Sequence, residues 1–436
     1  MGNSAVKRAF KFRFYPDDAQ ATELSKTFGC VRKVYNLALA ARAEARDSRQ
    51  RVEYAQTSAM LTAWKRSPEL AYLNEVSCVP LQQALRHLQR AFVAFRDGRS
   101  RHPRFKSKRK SRTSAEYTRS AFRFRDGRLT LAKMARALPI VWSRPLPPGA
   151  VPTTVTVSRD PAGRWFVSLL FEDDPDPFPR SAQAVGIDAG LTALVTLSTG
   201  EKITNPKFER RDRARLARVQ RALARKEKGS RNRAKARTRV ARVHARIADR
   251  RRDHLHKLTT RLVRENQTLV IEDLAVRNMQ QNPRLARAIS DAAWRELRSM
   301  LEYKTAWYGR ELITIDRWHP SSKTCSMCGA LTRDMPLNIR VWTCADCGTE
   351  HDRDENAAIN LLAAGLAVSA CGAGVGPRRA SATPGRRAMK QESPSVRAGR
   401  LPLREGDEAK QPNVGVSNAA LPSAMPADTL RTSSQQ

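Results

Sequence analysis

Two cysteine pairs, Cys325-x-x-Cys328 and Cys344-x-x-Cys347, stand 15 residues apart, and no other feature restricts so sharply what the chain around it can fold into. Each pair is followed by a glycine, Gly329 and Gly348, as a backbone turning tightly about a metal requires. Four thiolates at this spacing suit one tetrahedral Zn²⁺ in a ribbon closed by two knuckles. With every ligand supplied by protein no coordination position stays open, so the zinc is expected to be structural. The other three of the seven cysteines, Cys30, Cys78 and Cys371, are scattered. A disulfide framework would spread its cysteines through a small secreted domain. The cluster therefore points to a metal site in a reducing compartment.

The remainder of the 436 residues exceeds one compact core, and two to four domains are expected. There are 80 Lys and Arg against 42 Asp and Glu, a formal net charge of +38. Such a surplus repels itself unless a polyanion neutralises it, and nucleic acid is the commonest one. No long apolar span and no secretory signal is evident, which disfavours a membrane partner and predicts a cytoplasmic protein.

The segment Phe10-Lys11-Phe12-Arg13-Phe14 alternates with the period of a half-buried strand. Pro16 ends it, and Asp17 and Asp18 are suitable caps for a helix over 19–46. Further helices are expected over 54–65 and 79–96. Residues 99–112 (RSRHPRFKSKRKSR) form a basic run without periodicity. It is read as a phosphate-contacting loop, with Arg104, Lys106, Lys108, Arg109 and Lys110 as candidates, against the alternative of a solvated loop. Strand chemistry follows: 122–124 and 129–131 flank Asp126-Gly127 as a hairpin, and 140–142, 154–157 and 165–171 are further strands. With the N-terminal strand these predict a small closed β-barrel. Residues 173–181 (DDPDPFPRS) read as a linker.

Residues 205–266 read as a very basic helical hairpin broken at Gly229-Ser230, with Val240, Val243, Ile247, Leu255, Leu258 and Leu262 on one apolar stripe. One-sided charge of this kind suits a face laid against a phosphate backbone. A helix is expected over 290–309. From 369 to 436 no apolar period remains, which predicts disorder.

Three acidic groups end or open apolar elements. Val185-Gly186-Ile187-Asp188 is a short strand closing on an aspartate, and Leu269-Val270-Ile271-Glu272 is a buried-type strand closing on a glutamate. The group Asp352-Arg353-Asp354-Glu355 opens a helix directly after the cysteine pairs. Singly these acids are as well explained by turns and helix dipoles. Together they match an RNase H fold, where one carboxylate on the first strand, one on a middle strand and one at the last helix converge. Such a set holds two divalent cations about 4 Å apart, and all-oxygen ligands suit Mg²⁺, with Mn²⁺ as an alternative.

At this point the chain resembles the TnpB (OrfB) family, transposon-encoded RNA-guided endonucleases related to type V CRISPR effectors. The residues that carry the likeness are Ser321-Ser322-Lys323-Thr324-Cys325-Ser326-Met327-Cys328-Gly329, Arg340-Val341-Trp342-Thr343-Cys344-Ala345-Asp346-Cys347-Gly348 and Asp352-Arg353-Asp354-Glu355-Asn356-Ala357-Ala358. Weaker support comes from Thr27-Phe28-Gly29-Cys30 and Pro103-Arg104-Phe105-Lys106-Ser107-Lys108.

The resemblance implies a RuvC triad of Asp188, Glu272 and Asp354, with Asp352 as the alternative third member. It also places Arg340 near the active site, as a catalytic or phosphate-contacting residue. The implied architecture is multidomain α+β. Residues 1–16 and 115–180 form a wedge-like β-barrel, and 17–114 an inserted helical recognition domain. Residues 181–320 and 350–368 form the RuvC/RNase H-like nuclease, 321–349 the inserted zinc ribbon, and 369–436 a disordered tail. The implied partners are a guide RNA from the transposon end and a double-stranded DNA target, in a monomeric ribonucleoprotein of a bacterial or archaeal cell. Competing readings are a transposase of an insertion sequence and an RNA-guided repressor whose nuclease has decayed. A zinc-ribbon regulator would leave the carboxylates unexplained. On the family reading, the tail codons double as guide-RNA sequence.

Overall fold

A computed structural model of the chain describes residues 6–370 except 109, 110, 148, 150 and 337. Arg109, Lys110, Cys371 and the tail beyond residue 370, expected to be disordered, lie outside the described residues.

Strand β1 (Val6–Phe14) buries Phe10, Phe12 and Phe14 and turns its basic residues outward, as its alternation predicts. Helix α1 (Asp18–Asp47) follows, opened by a capping box in which Asp17 and Gln20 satisfy one another's backbone N–H groups. It packs with α2 (Tyr54–Arg66) and α3 (Cys78–Arg96) around Val34, Leu61, Leu81 and Leu85. The next strands are β2 (Thr113–Thr118), β3 (Phe122–Arg125), β4 (Arg128–Leu131), β5 (Ile140–Val141), β6 (Thr154–Arg159) and β7 (Trp165–Asp173). Asp126 and Gly127 both have positive φ (48° and 70°) in the β3–β4 turn, which is why that dipeptide stands there.

The expected closed barrel is instead an open antiparallel sheet, β2-β6-β7-β1-β5, and β3-β4 form a separate two-stranded sheet. Strand β5 spans only two residues, with Pro139, which cannot donate to a ladder, directly before it. The hairpin lays Leu129 and Leu131 over Phe12, Val157 and Leu169, so it covers the apolar face that hydrogen bonding does not close.

A second sheet contains β8 (Ala184–Asp188), β9 (Ala193–Leu197), β10 (Lys202–Thr204), β11 (Thr268–Glu272) and β12 (Glu311–Ile315), in the order β10-β9-β8-β11-β12. The first three are antiparallel; β11 runs parallel to both β8 and β12. Between β10 and β11 the basic hairpin forms as predicted, α4 (Phe208–Ala224) and α5 (Arg231–Glu265), with Gly229 at φ 97° in the break. After β11 come α6 (Val276–Met279), α7 (Ala286–Ala292) and α8 (Trp294–Tyr308). The single helix expected over 290–309 is thus two, separated at Ala293 with φ 54°. Tertiary contacts override propensity there: buried Asp291 accepts the backbone N–H of Glu209 at 2.9 Å and pairs with Arg251 at 2.9 Å, which ties α7 to the basic hairpin.

Helices α5 and α8 cover one face of this sheet through Leu258, Leu262, Leu297 and Leu301 against Val185, Ile187, Leu269 and Ile271. After β13 (Val341–Thr343) and β14 (Glu350–Asp352), helix α9 (Arg353–Ala370) covers the other face, two residues longer than the predicted domain boundary. Its approach is very close: a Cβ on Gly186 would lie 2.0 Å from the Ala358 carbonyl oxygen and 2.9 Å from the Leu362 backbone nitrogen. Because both neighbours are backbone, Gly186→Ala is expected to destabilise the protein by about 1–3 kcal/mol or more. A lowered denaturant midpoint at unchanged slope is the measurement that checks this.

Candidate active site and metal-binding ribbon

Strand alternation decides where the acids point. Gly186 and Val270 contact α9, so Asp188 and Glu272, two residues further along parallel neighbours, lie on that same face at the carboxyl ends of their strands. Ile187 is in register with Ile271, which brings the two acids side by side. Asp354 enters from the first turn of α9. Burial, then Asp354, then Glu272 push the Asp188 carboxyl up to about 7, with Arg353 opposing. The Glu272 carboxyl is raised by burial and by Asp273. Arg340 Nη1 donates to Asp354 Oδ1 at 2.9 Å, so the arginine singled out in the sequence does reach the acid cluster.

Asp352, the alternative third acid, is otherwise engaged. Its Oδ1 accepts the backbone N–H groups of Asp354 and Glu355 at 3.1 Å each, and its Oδ2 takes Lys202 Nζ at 2.6 Å. It caps α9 while Asp354 faces Asp188. Among the described residues, the four cysteines alone form a group of three or more metal-ligating residues with all ligand atoms within 4.8 Å. Asp354 and Glu272 both act electrostatically on the buried Asp188 carboxyl, so the three carboxylates share one neighbourhood at the strand ends. All-oxygen donors, and a carboxyl whose pKa is raised by burial and then by its acidic neighbours, fit hard divalent cations, which supply the missing positive charge.

The cysteine cluster fits zinc more tightly. Cys325 and Cys347 sulfurs lie 3.6 Å apart, as do those of Cys328 and Cys344, close to the ~3.8 Å edge of a tetrahedron built on 2.3 Å Zn–S bonds. Gly329 N donates to Cys325 O and Gly348 N to Cys344 O, both at 2.9 Å, closing two like knuckles. His351 Nε2 sits 3.0 Å from Cys325 Sγ. The ribbon is bonded to α9 rather than merely tethered: Asn356 donates to Thr324 O at 2.8 Å and Asn360 to Ser321 O at 2.8 Å. Ser326 N returns a bond to Asn356 Oδ1 at 2.9 Å, and Arg353 N donates to Arg340 O at 2.8 Å.

Of the basic-loop candidates, Arg104 and Lys108 are exposed. Lys106 is not free in the same way. Its ammonium lies 3.8 Å over the Tyr35 ring, Asn36 holds its backbone at 2.8 and 2.9 Å, and burial lowers its pKa.

Two arrangements went unread in the sequence. Asp273 is locked by ion pairs to Arg298 and Arg317 beside Glu272, and His351 abuts the sulfur cluster. His351 had a signal, lying four residues after Cys347; Asp273 had none, since its partners are distant in sequence.

Fold and site define a mixed α/β multidomain protein whose four-cysteine ribbon is bonded to an acid-bearing helix. The chain belongs to the TnpB/OrfB family. Residues 166–283 match the OrfB_IS605 family, described as "Probable transposase", and 294–361 match a Cas12f1-like TNB domain. Residues 1–51 match a family described as a helix-turn-helix domain, although the described part of that span is β1 and one uninterrupted helix. A Streptomyces pristinaespiralis protein is 69% identical over 395 residues, covering 90% of this chain and 98% of the relative. InsQ of Escherichia coli K12 is 34% identical over 387 residues, covering 84% and 94%. Both are described as "Putative RNA-guided DNA endonuclease". The solved structure of a Cas12f1–sgRNA–target DNA complex shares the fold, with TM-score 0.51 at 13% identity over 82% of this chain and 99% of that one.

Proposed function

We propose that this protein is the RNA-guided DNA endonuclease of an insertion sequence, a RuvC-type enzyme that hydrolyses phosphodiester bonds with two Mg²⁺ ions. The observation that supports this is the electrostatic coupling of Asp354 and Glu272 to the buried Asp188 carboxyl, at the strand ends of a sheet whose strands, counted within it, run 3-2-1-4-5. That is the RNase H-like arrangement, and active sites of open α/β sheets lie outside the carboxyl ends of their strands. The relatives' descriptions supply the RNA guide and the DNA target.

In this reading Asp188, Glu272 and Asp354 hold the catalytic cations. Two such ions, when bound, activate the attacking water and stabilise the leaving 3′ oxygen. Arg340 orients the Asp354 carboxylate and adds positive charge where the scissile phosphate lies. Cys325, Cys328, Cys344 and Cys347 hold one structural Zn²⁺, which fixes the ribbon against α9. Residues 6–16 and 115–180 serve as the wedge and 17–114 as the recognition domain that grip the guide. The exposed basic faces of α4 and α5, with Arg104 and Lys108, neutralise phosphates, and a monomeric ribonucleoprotein in the cytoplasm suffices. No helix among the described residues is long and apolar enough to cross a membrane.

Sequencing the RNA that co-purifies with the protein, then challenging the complex with a randomised target library, tests the reading. One discrete transcript is expected, and its 3′ segment should dictate where duplex DNA is cut next to a short fixed motif. RNA-free protein that cuts and joins only at element ends would identify a transposase instead.

A further inference from the structure

Among the described residues Trp318 is the most exposed large apolar side chain, at 84%. An indole left in water on a slack loop would mean little, but this one is presented on a tied turn. Trp318 N donates to Asp316 Oδ1 at 2.9 Å, His319 N to Asp316 O at 3.0 Å, and Ser321 N to His319 O at 2.8 Å.

The turn leaves the carboxyl end of β12, where Ile315 is in register with Glu272 and accepts the Asp273 N–H at 2.9 Å. Three residues of extended chain span at most about 11 Å, so the Trp318 backbone stands within that reach of Ile315, the register partner of Glu272. Arg317, next in sequence, is pinned to Asp273. Beside it opens a cavity of about 670 Å³ walled by Ile271, Leu297 and Glu272 and bordered by Arg277, Arg295 and Arg317. Buried Trp294 also lines it, and its Nε1–H has no hydrogen-bond partner.

Trp318 follows Arg317, which borders that cavity together with Arg277 and Arg295, and an exposed aromatic ring next to a cation-lined groove suits single-stranded nucleic acid, because every base has a π face and every phosphate a charge. A protein partner would need a broader apolar surface than one indole that stands between Arg317 and His319 in the chain. We propose that Trp318 is a positioning residue: its indole stacks on an unpaired base of the DNA strand being cut, and Arg277 and Arg295 hold the neighbouring phosphates. This rests on the nuclease reading above and deepens it. Stacking fixes the rotation of the strand, so the scissile phosphate meets the carboxylates in one register.

The test uses the full ribonucleoprotein and targets carrying a single abasic nucleotide at successive positions of the cut strand. Wild-type protein should lose roughly 5- to 150-fold in cleavage efficiency at one position near the cut. Trp318→Ala should show that loss on the intact strand and no further loss at the same abasic position. Trp318→Phe should restore both the rate and the position-specific sensitivity, and both variants should keep wild-type zinc and RNA content. A Trp318→Ala protein that retains the wild-type abasic profile, at any rate, overturns the proposal while the nuclease reading stands. A changed oligomeric state with an unchanged profile overturns it too, and marks a protein contact. If wild-type protein cuts no guided target, the nuclease reading falls and this proposal falls with it.

Discussion

Asp188→Asn and Glu272→Gln are each expected to lower guided DNA cleavage by on the order of 10³-fold or more while leaving the bound RNA unchanged. The amides keep the size of the carboxyls and remove the charge that would hold the proposed cations. The same substitution at Asp188 should raise stability. Its carboxyl is held at about 7 by burial, Asp354 and Glu272, well above the ~3.9 of an unfolded chain. A folded-state pKa raised in this way favours folding at low pH and withdraws that stability as pH climbs from about 4 through 7. In magnesium-free buffer at pH 7.5 or so, Asp188→Asn should therefore melt above wild type, with the gap closing towards pH 4. An inactive variant that melts lower would point to simple unfolding, and one that still cuts at the wild-type rate would remove Asp188 from the chemistry.

Removing zinc should have the second largest effect. Structural zinc contributes apparent energies of about 10–16 kcal/mol to isolated fingers, and here the ribbon's carbonyls also anchor the helix that carries Asp354. Asn356 and Asn360 lean on Thr324 and Ser321, and Arg340 is positioned from within the ribbon's own span. Cys344→Ser is thus expected to drop metal content below one zinc per chain, open residues 321–349 to protease and abolish cutting. Guide RNA held by the N-terminal regions should remain bound. Full cutting by zinc-free protein would show that α9 needs no ribbon.

Local chemistry made much of this legible in advance. The alternation of Phe10, Phe12 and Phe14, the Asp126-Gly127 turn, the break at Gly229 and the two cysteine pairs each specify their structure through neighbours in sequence. Apolar runs ending in acid placed Asp188 and Glu272 on strand ends, and the parallel central position of β11 followed from its continuous hydrophobicity.

What stayed hidden depends on distant partners. Ala293 takes a left-handed conformation two residues after Asp291, which is tied to α4 and α5. Nothing near Asp352 and Asp354 in sequence announces that Lys202 holds the first while Arg340 and Asp188 face the second. Lys106 looks like any other cation of its run until Tyr35, 71 positions earlier, is found beneath it. The open sheet, too, shows only once the edge strand β5 is seen to stop after Val141.

Helix α9 contributes both the last acid and the lid over Gly186 and Val270, and it is the final described element of the chain. If the proposed triad cuts, a ribosome must pass codon 354 before the cutting edge can exist, and the nascent polypeptide is expected to spare the DNA around its own gene. A premature stop or frameshift upstream leaves two strand-end acids, the basic hairpin and an uncovered sheet. On the proposed reading such a product is expected to grip nucleic acid without severing it, so that a broken copy of the gene becomes a blocker rather than a blade.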